Sequence, residues 1–291
     1  MRSIFLSPDH QAQFKKSGYV TMPLLSQDEV THILTELNSM RPHDGFAPTD
    51  RRSDYHCTFL DTNEDYKRAA NALIASVFNP YIQKVLHRYR ILNGNFYIKP
   101  PGKGKFEIHQ NWMHVDDVRH TTLTIWCPLV DVDRRNGTLE IVPGSHKIVP
   151  DVATVNVDYY FKSFEQALVD KYLEPIPLKA GECIIFDDSL IHYSGQNQSD
   201  SPRYAIQIEI IPEEMQPVFY HFDKDHPDKG FEVFEVDFDF FMKGNVTNMR
   251  DRPSYLTSRG FVPNINRSLT EAEFLEKMKN GAVVREEIYQ N

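Results

Sequence analysis

The chain has 291 residues, 41% of them apolar and 12% aromatic, which is enough to build a sizeable core and excludes a disordered chain. Its formal net charge of -9 argues against a nucleic-acid partner, which would require a broad basic face. The N-terminal apolar run is too short for a secretory signal, and no run of 18 apolar residues occurs, so no membrane partner is expected.

Three widely spaced cysteines, Cys57, Cys127 and Cys183, form no Cys-x-x-Cys pair and are expected to be reduced, buried thiols in a cytoplasmic protein. In chain order, Ser7-Pro8 opens a short polar helix, and Gly18 to Met22 forms a short strand. Ser26 with Glu29 is a capping box that starts a second helix. The segment from Arg41 to Asp61 is rich in Pro, Gly, Asp and Arg and reads as a loop. A third helix starts at Thr62 to Asp65 and runs to about Phe78, with Pro80 stopping or restarting it.

Beyond it the periodicity turns to alternation. Ile91 to Ile98 is a strand ended by Pro100-Pro101-Gly102. Thr121 to Val132 and Thr138 to Val142 flank Asn136-Gly137, a strong hairpin signal. Ile176 to Leu178, Glu182 to Phe186 and Tyr204 to Ile211 add further strands, and a polar, aromatic-rich insertion spans Asp151 to Leu173. This spacing predicts a barrel or jelly roll rather than βαβ units. After Pro212 the chain is aromatic and acidic, reading as an outer cover or as a lid, and Ser268 to Phe274 opens a final helix. One domain over 1–291 is expected: helical support over 1–90, a β core over 91–212 and a C-terminal cover over 213–291.

His114-Val115-Asp116 puts an imidazole and a carboxylate on one side of an extended backbone, two thirds of a facial metal triad. His192 is the best third ligand. Arg203, eleven residues on, suits a bidentate contact with a distal carboxylate, and Ser194 could add a hydroxyl to it.

With Asn136-Gly137-Thr138-Leu139, Val142 to His146, and Leu178-Lys179-Ala180-Gly181 through Arg203, the chain resembles the phytanoyl-CoA dioxygenase family over roughly residues 10 to 212. The run Tyr97 to Gly102 resembles that family's strand and turn before the first ligand. The resemblance implies a double-stranded β-helix (cupin-like jelly roll), mainly β with flanking helices, using iron(II), 2-oxoglutarate and O2. It implies that His114, Asp116 and His192 hold iron, and that Arg203, Ser194, Trp126 and Lys99 contact 2-oxoglutarate. The expected outcome is hydroxylation of an unactivated C–H of a small molecule, with release of succinate and CO2. Desaturation, cyclisation or epoxidation at the same iron, a β-helix binding protein without catalysis, and a zinc hydrolase are the alternatives.

The ligand register has competitors. Many relatives place tryptophan directly after the His-x-Asp pair, which here falls on His109-Gln110-Asn111-Trp112 with Asn111 at the carboxylate position, and counting back from Trp126 favours the same register. His114 with Asp116 keeps an intact carboxylate and is preferred. His109 is then a supporting partner, the true ligand, or the partner of Asp116 across a bend. His120, His146, His221 and His226 are expected to be solvated or hydrogen-bonded outside the site. Arg51, Arg52, Lys103, Lys105 and Arg119 could form a basic entrance. A small-molecule substrate is the expected partner, with a homodimer left open.

Overall fold

The computed structural model describes residues 3–40, 46–48, 54–116, 121–148, 152–244 and 248–280. Its N-terminal helices start where the local chemistry predicts. Ser7 caps Pro8–Ser17, and Gly18, at φ 84°, ends it. Ahead of Gln27–Met40 the Ser26 backbone N–H donates to Glu29 Oε2 at 2.8 Å and the Glu29 N–H donates to Ser26 Oγ at 3.2 Å, closing the capping box.

The third helix, Glu64–Val85, does not stop near Phe78. It runs through Pro80 because Phe78 and Ile82, on either side, are both buried, and that tertiary anchoring outweighs the hydrogen bond lost at proline.

A six-stranded antiparallel sheet has the order Tyr19–Pro23, Glu182–Asp187, Leu123–Pro128, Arg203–Pro212, Tyr89–Lys99, His56–Cys57. A four-stranded sheet orders Phe106–His109, His192–Ser194, Leu139–Ile141 and Glu174–Pro175. Together with the flanking helices they make a double-stranded β-helix. The large sheet is buried on both faces. Ile206, Ile208 and Ile210 join Phe96, Ile98, Ile125 and the helical residues Ile33, Ile74 and Phe78 in one core. Trp126, Ile184, Phe186 and Ala205 pack on the opposite side with Leu139 and Ile141 of the smaller sheet. Alternation along each strand therefore separates two interiors.

The hairpin expected at Asn136-Gly137 is not formed. Leu123–Pro128 and Leu139–Ile141 lie in different sheets, so the turn carries the chain from one layer to the other. Asn136 still shapes it, accepting from the Asp133 N–H at 2.9 Å and donating to the Asp131 carbonyl at 2.8 Å.

The aromatic segment after Pro212 forms a third sheet, ordered Val218–Phe222, Phe231–Glu235, Ser258–Val262. Phe219, Phe234 and Phe241 pack on Leu92 and Val115, with half-buried Trp112 beside them. The final helix, Glu271–Asn280, is capped by Thr270 and Glu273, two residues beyond the predicted Ser268 start. Cys57, Cys127 and Cys183 are buried and form no disulfide among the described residues. Among the described residues no helix is long and apolar enough to cross a membrane.

Gly137, at φ 78°, is the glycine on which the junction depends. A Cβ there would stand 2.5 Å from the Gly195 carbonyl oxygen and 3.1 Å from Lys99 Nζ. Gly137→Ala is expected to destabilise the protein by about 2 kcal/mol, combining left-handed backbone strain with the clash. Urea denaturation of the two proteins measures it.

Candidate functional site

Strands Phe106–His109 and His192–Ser194 are paired with His109 directly opposite His192. The ring centroids are 4.0 Å apart. Each ring is oriented by a backbone carbonyl two residues before it: His109 Nδ1 lies 2.7 Å from the Glu107 oxygen, and His192 Nδ1 lies 2.8 Å from the Leu190 oxygen. A carbonyl only accepts, so both Nδ1 atoms carry the hydrogen and both Nε2 atoms keep a lone pair. Burial pushes the pKa of His109 down to about 4, outweighing the Glu107 carbonyl. Burial, and then the neighbouring His109, hold His192 well below the usual histidine value. Two neutral imidazoles side by side, each fixed through Nδ1, are the state in which histidine ligates a metal.

Behind this pair lies a narrow pocket of about 30 Å³ whose lining includes Lys99, Trp126, His109, His192, Ser194 and Arg203. Arg203 and Lys99 are partners across adjacent strands, a register that brings two cations together. They are used differently. Lys99 Nζ spends its donors locally, on the Ser194 carbonyl at 3.0 Å, Ser194 Oγ at 2.5 Å and the Gly195 carbonyl at 2.6 Å. Burial, and then the charge of Arg203, depress its pKa well below the usual lysine value. The Arg203 guanidinium sits 5.5 Å from the Trp126 ring and is 2% exposed, with Nε and Nη1 unpartnered among the described residues. Burial lowers its pKa to about 9, which leaves it charged at neutral pH. A buried cation with unused donors is the complement of a carboxylate. Ser194 differs from expectation, since its hydroxyl donates to the Gly137 carbonyl at 2.8 Å rather than into the pocket.

A second cavity of about 440 Å³ shares Tyr97, Phe106, His109 and Gln207 with the first. Tyr55, Phe59, Trp112 and Tyr159 give it aromatic walls, and Glu209 lies on its boundary. His109 thus stands where the two spaces meet. Lys105, also on this wall, is engaged by Glu107 at 3.0 Å. Arg51, Arg52, Arg119 and His120 lie outside the described residues.

The preferred ligand register is not what the fold assembles. His114 is buried in the cover, its Nε2 3.4 Å from Glu209 Oε2 and its ring 5.3 Å from that of Phe241. Asp116 pairs with Arg259 at 2.7 Å. Neither lines the pocket that holds His192. The expectation assumed extended backbone through His114-Val115-Asp116, whereas the strand ends at His109 and the segment beyond is irregular. Asp116 also lines neither of the two cavities that contain His109. Among the described residues no group of three or more His, Cys, Asp or Glu side chains could hold a metal. At the carboxylate position of the His109 register stands Asn111, hydrogen-bonded to Thr124. Sequence reasoning noted Asn111 but missed Thr124 and Asp188 behind it, and Gln207 and Glu209 on the opposite strand. Strand alternation from Arg203 would have reached Gln207 and Glu209; nothing local marked the other two.

A family model described as phytanoyl-CoA dioxygenase (PhyH) matches residues 14–205. Phytanoyl-CoA dioxygenase 1 of Oryza sativa subsp. japonica is 28% identical over 153 residues, 51% of this chain and 53% of the relative. The ectoine dioxygenase of Halomonas elongata is 27% identical over 220 residues, 65% of each chain. The chain thus spans about half to two thirds of the length of these relatives. Among solved structures, the non-heme alpha-ketoglutarate-dependent carbocyclase SnoK from nogalamycin biosynthesis aligns with a TM-score of 0.57 at 20% identity, covering 73% of this chain and 86% of that one. HygX from Streptomyces hygroscopicus, solved with nickel and 2-oxoglutarate, aligns at 0.52 and 17% identity, covering 72% and 88%. At these identities the likeness is one of fold.

The His114–Glu209 pair generates a pH prediction. Burial lowers the pKa of His114, but the Glu209 carboxylate overrides it and the net shift is upward. Stability from the charged pair is then fully present below the usual histidine value and lost as pH rises through the elevated folded value. His114→Gln is expected to cost about 2 kcal/mol at pH 6 and clearly less at pH 8.5, read by chemical denaturation at both.

Proposed function

The chain belongs to the phytanoyl-CoA dioxygenase family, and we propose that it is an iron(II)- and 2-oxoglutarate-dependent oxygenase acting on a small molecule. The observation that carries this is one pocket in which two neutral imidazoles, fixed through Nδ1, face the same space as a buried guanidinium with unused donors. His109 and His192 would hold the metal. Arg203 would take the distal carboxylate of 2-oxoglutarate, with the Trp126 face beside it and Lys99 bracing the Ser194–Gly195 backbone.

When bound, iron(II) with 2-oxoglutarate supplies oxygen activation coupled to oxidative decarboxylation, with succinate and CO2 as co-products. The chain's own contribution is electrostatic and spatial. Arg203 favours a dicarboxylate by pairing a buried positive charge with unused donors. The backbone carbonyls of Glu107 and Leu190 keep both imidazoles in one tautomer. The aromatic cavity beyond His109 has the dimensions of a small-molecule site and would seat a substrate beside that histidine. Hydroxylation is the expected outcome. The buried thiols, outside any disulfide among the described residues, support a cytoplasmic location.

One observation favours a second reading. Asn111 at the carboxylate position suits a β-helix that binds metal or ligand without turning over. Anaerobic addition of iron(II) and 2-oxoglutarate, followed in the visible region, and then succinate release on admitting oxygen, separate the two. The oxygenase shows a weak charge-transfer band and forms succinate. A band without succinate for any small-molecule panel supports the binding protein, and no band sinks both. Arg203→Ala is expected to raise the 2-oxoglutarate concentration at half-maximal band intensity by about tenfold or more. His192→Ala should abolish the band.

A further inference from the structure

Asn111 is held in one orientation by its neighbours. Its Nδ2 donates to Thr124 Oγ1 at 2.7 Å and lies 3.4 Å from Asp188 Oδ1, while the Thr124 hydroxyl donates to that same Oδ1 at 2.7 Å. Thr124 has one hydroxyl hydrogen, and Asp188 takes it. Thr124 must therefore accept from position 111, which forces the amide NH2 inward. A reversed amide would set its oxygen against a carboxylate oxygen. The Asn111 side-chain oxygen is the atom left over, without a hydrogen-bond partner among the described residues, on a residue that lines the cavity shared with His109.

These surroundings accept asparagine and reject aspartate. An aspartate at 111 would bring a second carboxylate to the Asp188 oxygen in a buried site where Thr124 can donate to only one of them. Two carboxylates that close do not both ionise. Asp188 is 4% exposed, its carboxyl group is held by the hydroxyls of Thr124 and Thr122 with burial pushing its pKa up to about 7, and its backbone carbonyl accepts the Asn111 N–H at 2.9 Å.

We propose that this site binds its divalent metal through His109, His192 and the Asn111 amide oxygen, and that the carboxyl group absent from position 111 stands one hydrogen-bond layer behind it on Asp188, linked through Thr124. The inference rests on the assignment of His109 and His192 as metal-holding residues. Donation of the amide hydrogens toward an anion polarises the amide and strengthens its oxygen as a donor. The three donor side chains remain formally neutral, so the metal keeps its full charge toward anionic ligands. Asp188 is a positioning residue that acts through Asn111.

The test is anaerobic titration of the full-length chain with Mn(II), reading free Mn(II) by electron paramagnetic resonance, with apo melting temperatures taken alongside to score folding. The wild type should bind a single equivalent and His192→Ala should lose it. Asp188→Asn should weaken binding about tenfold, the scale expected when a hydrogen-bond partner behind a ligand is removed. Asn111→Asp alone should bind no tighter than wild type, and Asn111→Asp with Asp188→Asn should regain at least wild-type affinity. The rescue keeps the test valid if the single aspartate variant folds poorly. Tenfold tighter binding by Asn111→Asp with Asp188 intact, or unchanged binding by Asp188→Asn, overturns the role given to Asp188 while leaving the two-imidazole assignment standing. No binding by wild type, or wild-type binding by His192→Ala, overturns that assignment and this inference with it.

Discussion

The strand Arg203–Pro212 sits between Leu123–Pro128 and Tyr89–Lys99 and faces an interior on each side. Ile206, Ile208 and Ile210 point into the core shared with the helices, and Arg203, Gln207 and Glu209 point into the barrel. Because side chains alternate with period two, a slip of one residue would drive a guanidinium and a carboxylate into the isoleucine core. The apolar face therefore sets the depth at which every polar group of the site sits. The helices matter to the chemistry for this reason: they bury the face that holds the register.

Depth and partner together decide what each polar group can do. Lys99 and Arg203 are opposite each other on neighbouring strands, yet only Arg203 keeps unused donors, because the turn around Gly195 offers Lys99 two carbonyls and a hydroxyl. The close approach that makes this possible passes through Gly137, where a side chain would strike both the Gly195 carbonyl and Lys99. His109 and His192 are similarly matched by a backbone feature, a carbonyl two residues earlier, so their shared tautomer is a property of the strand pairing and not of nearby carboxylates. The cover adds a charge pair of its own, His114 with Glu209.

Much of this was readable in the chain. His192, Ser194 and Arg203 fall on two strands, where spacing translates directly into position, and all three line one pocket. The capping box at Ser26 is local chemistry and forms where the sequence puts it, whereas the final helix is capped at Thr270 and not at the expected Ser268. The stretch from His109 to Asp116 was different. An alternating pair of residues has a defined geometry only if the backbone is extended, and the strand ends at His109. Pro80 and the Asn136-Gly137 turn misled for a related reason: burial of Phe78 and Ile82 outvoted a local helix breaker, and a local hairpin signal could not tell one sheet from two.

The sequence by itself determined the strand alternation, the helix starts, the family likeness and the downstream block that carries His192 and Arg203, because each depends on residues close together in the chain. Only the tertiary structure decided which upstream histidine meets His192, since that follows from pairing between strands more than eighty residues apart. It also decided the state of Asn111. An amide in that position reads as a missing ligand until Thr124 and Asp188, brought to it from two other strands and loops, show that its orientation is imposed and that a carboxylate stands directly behind it.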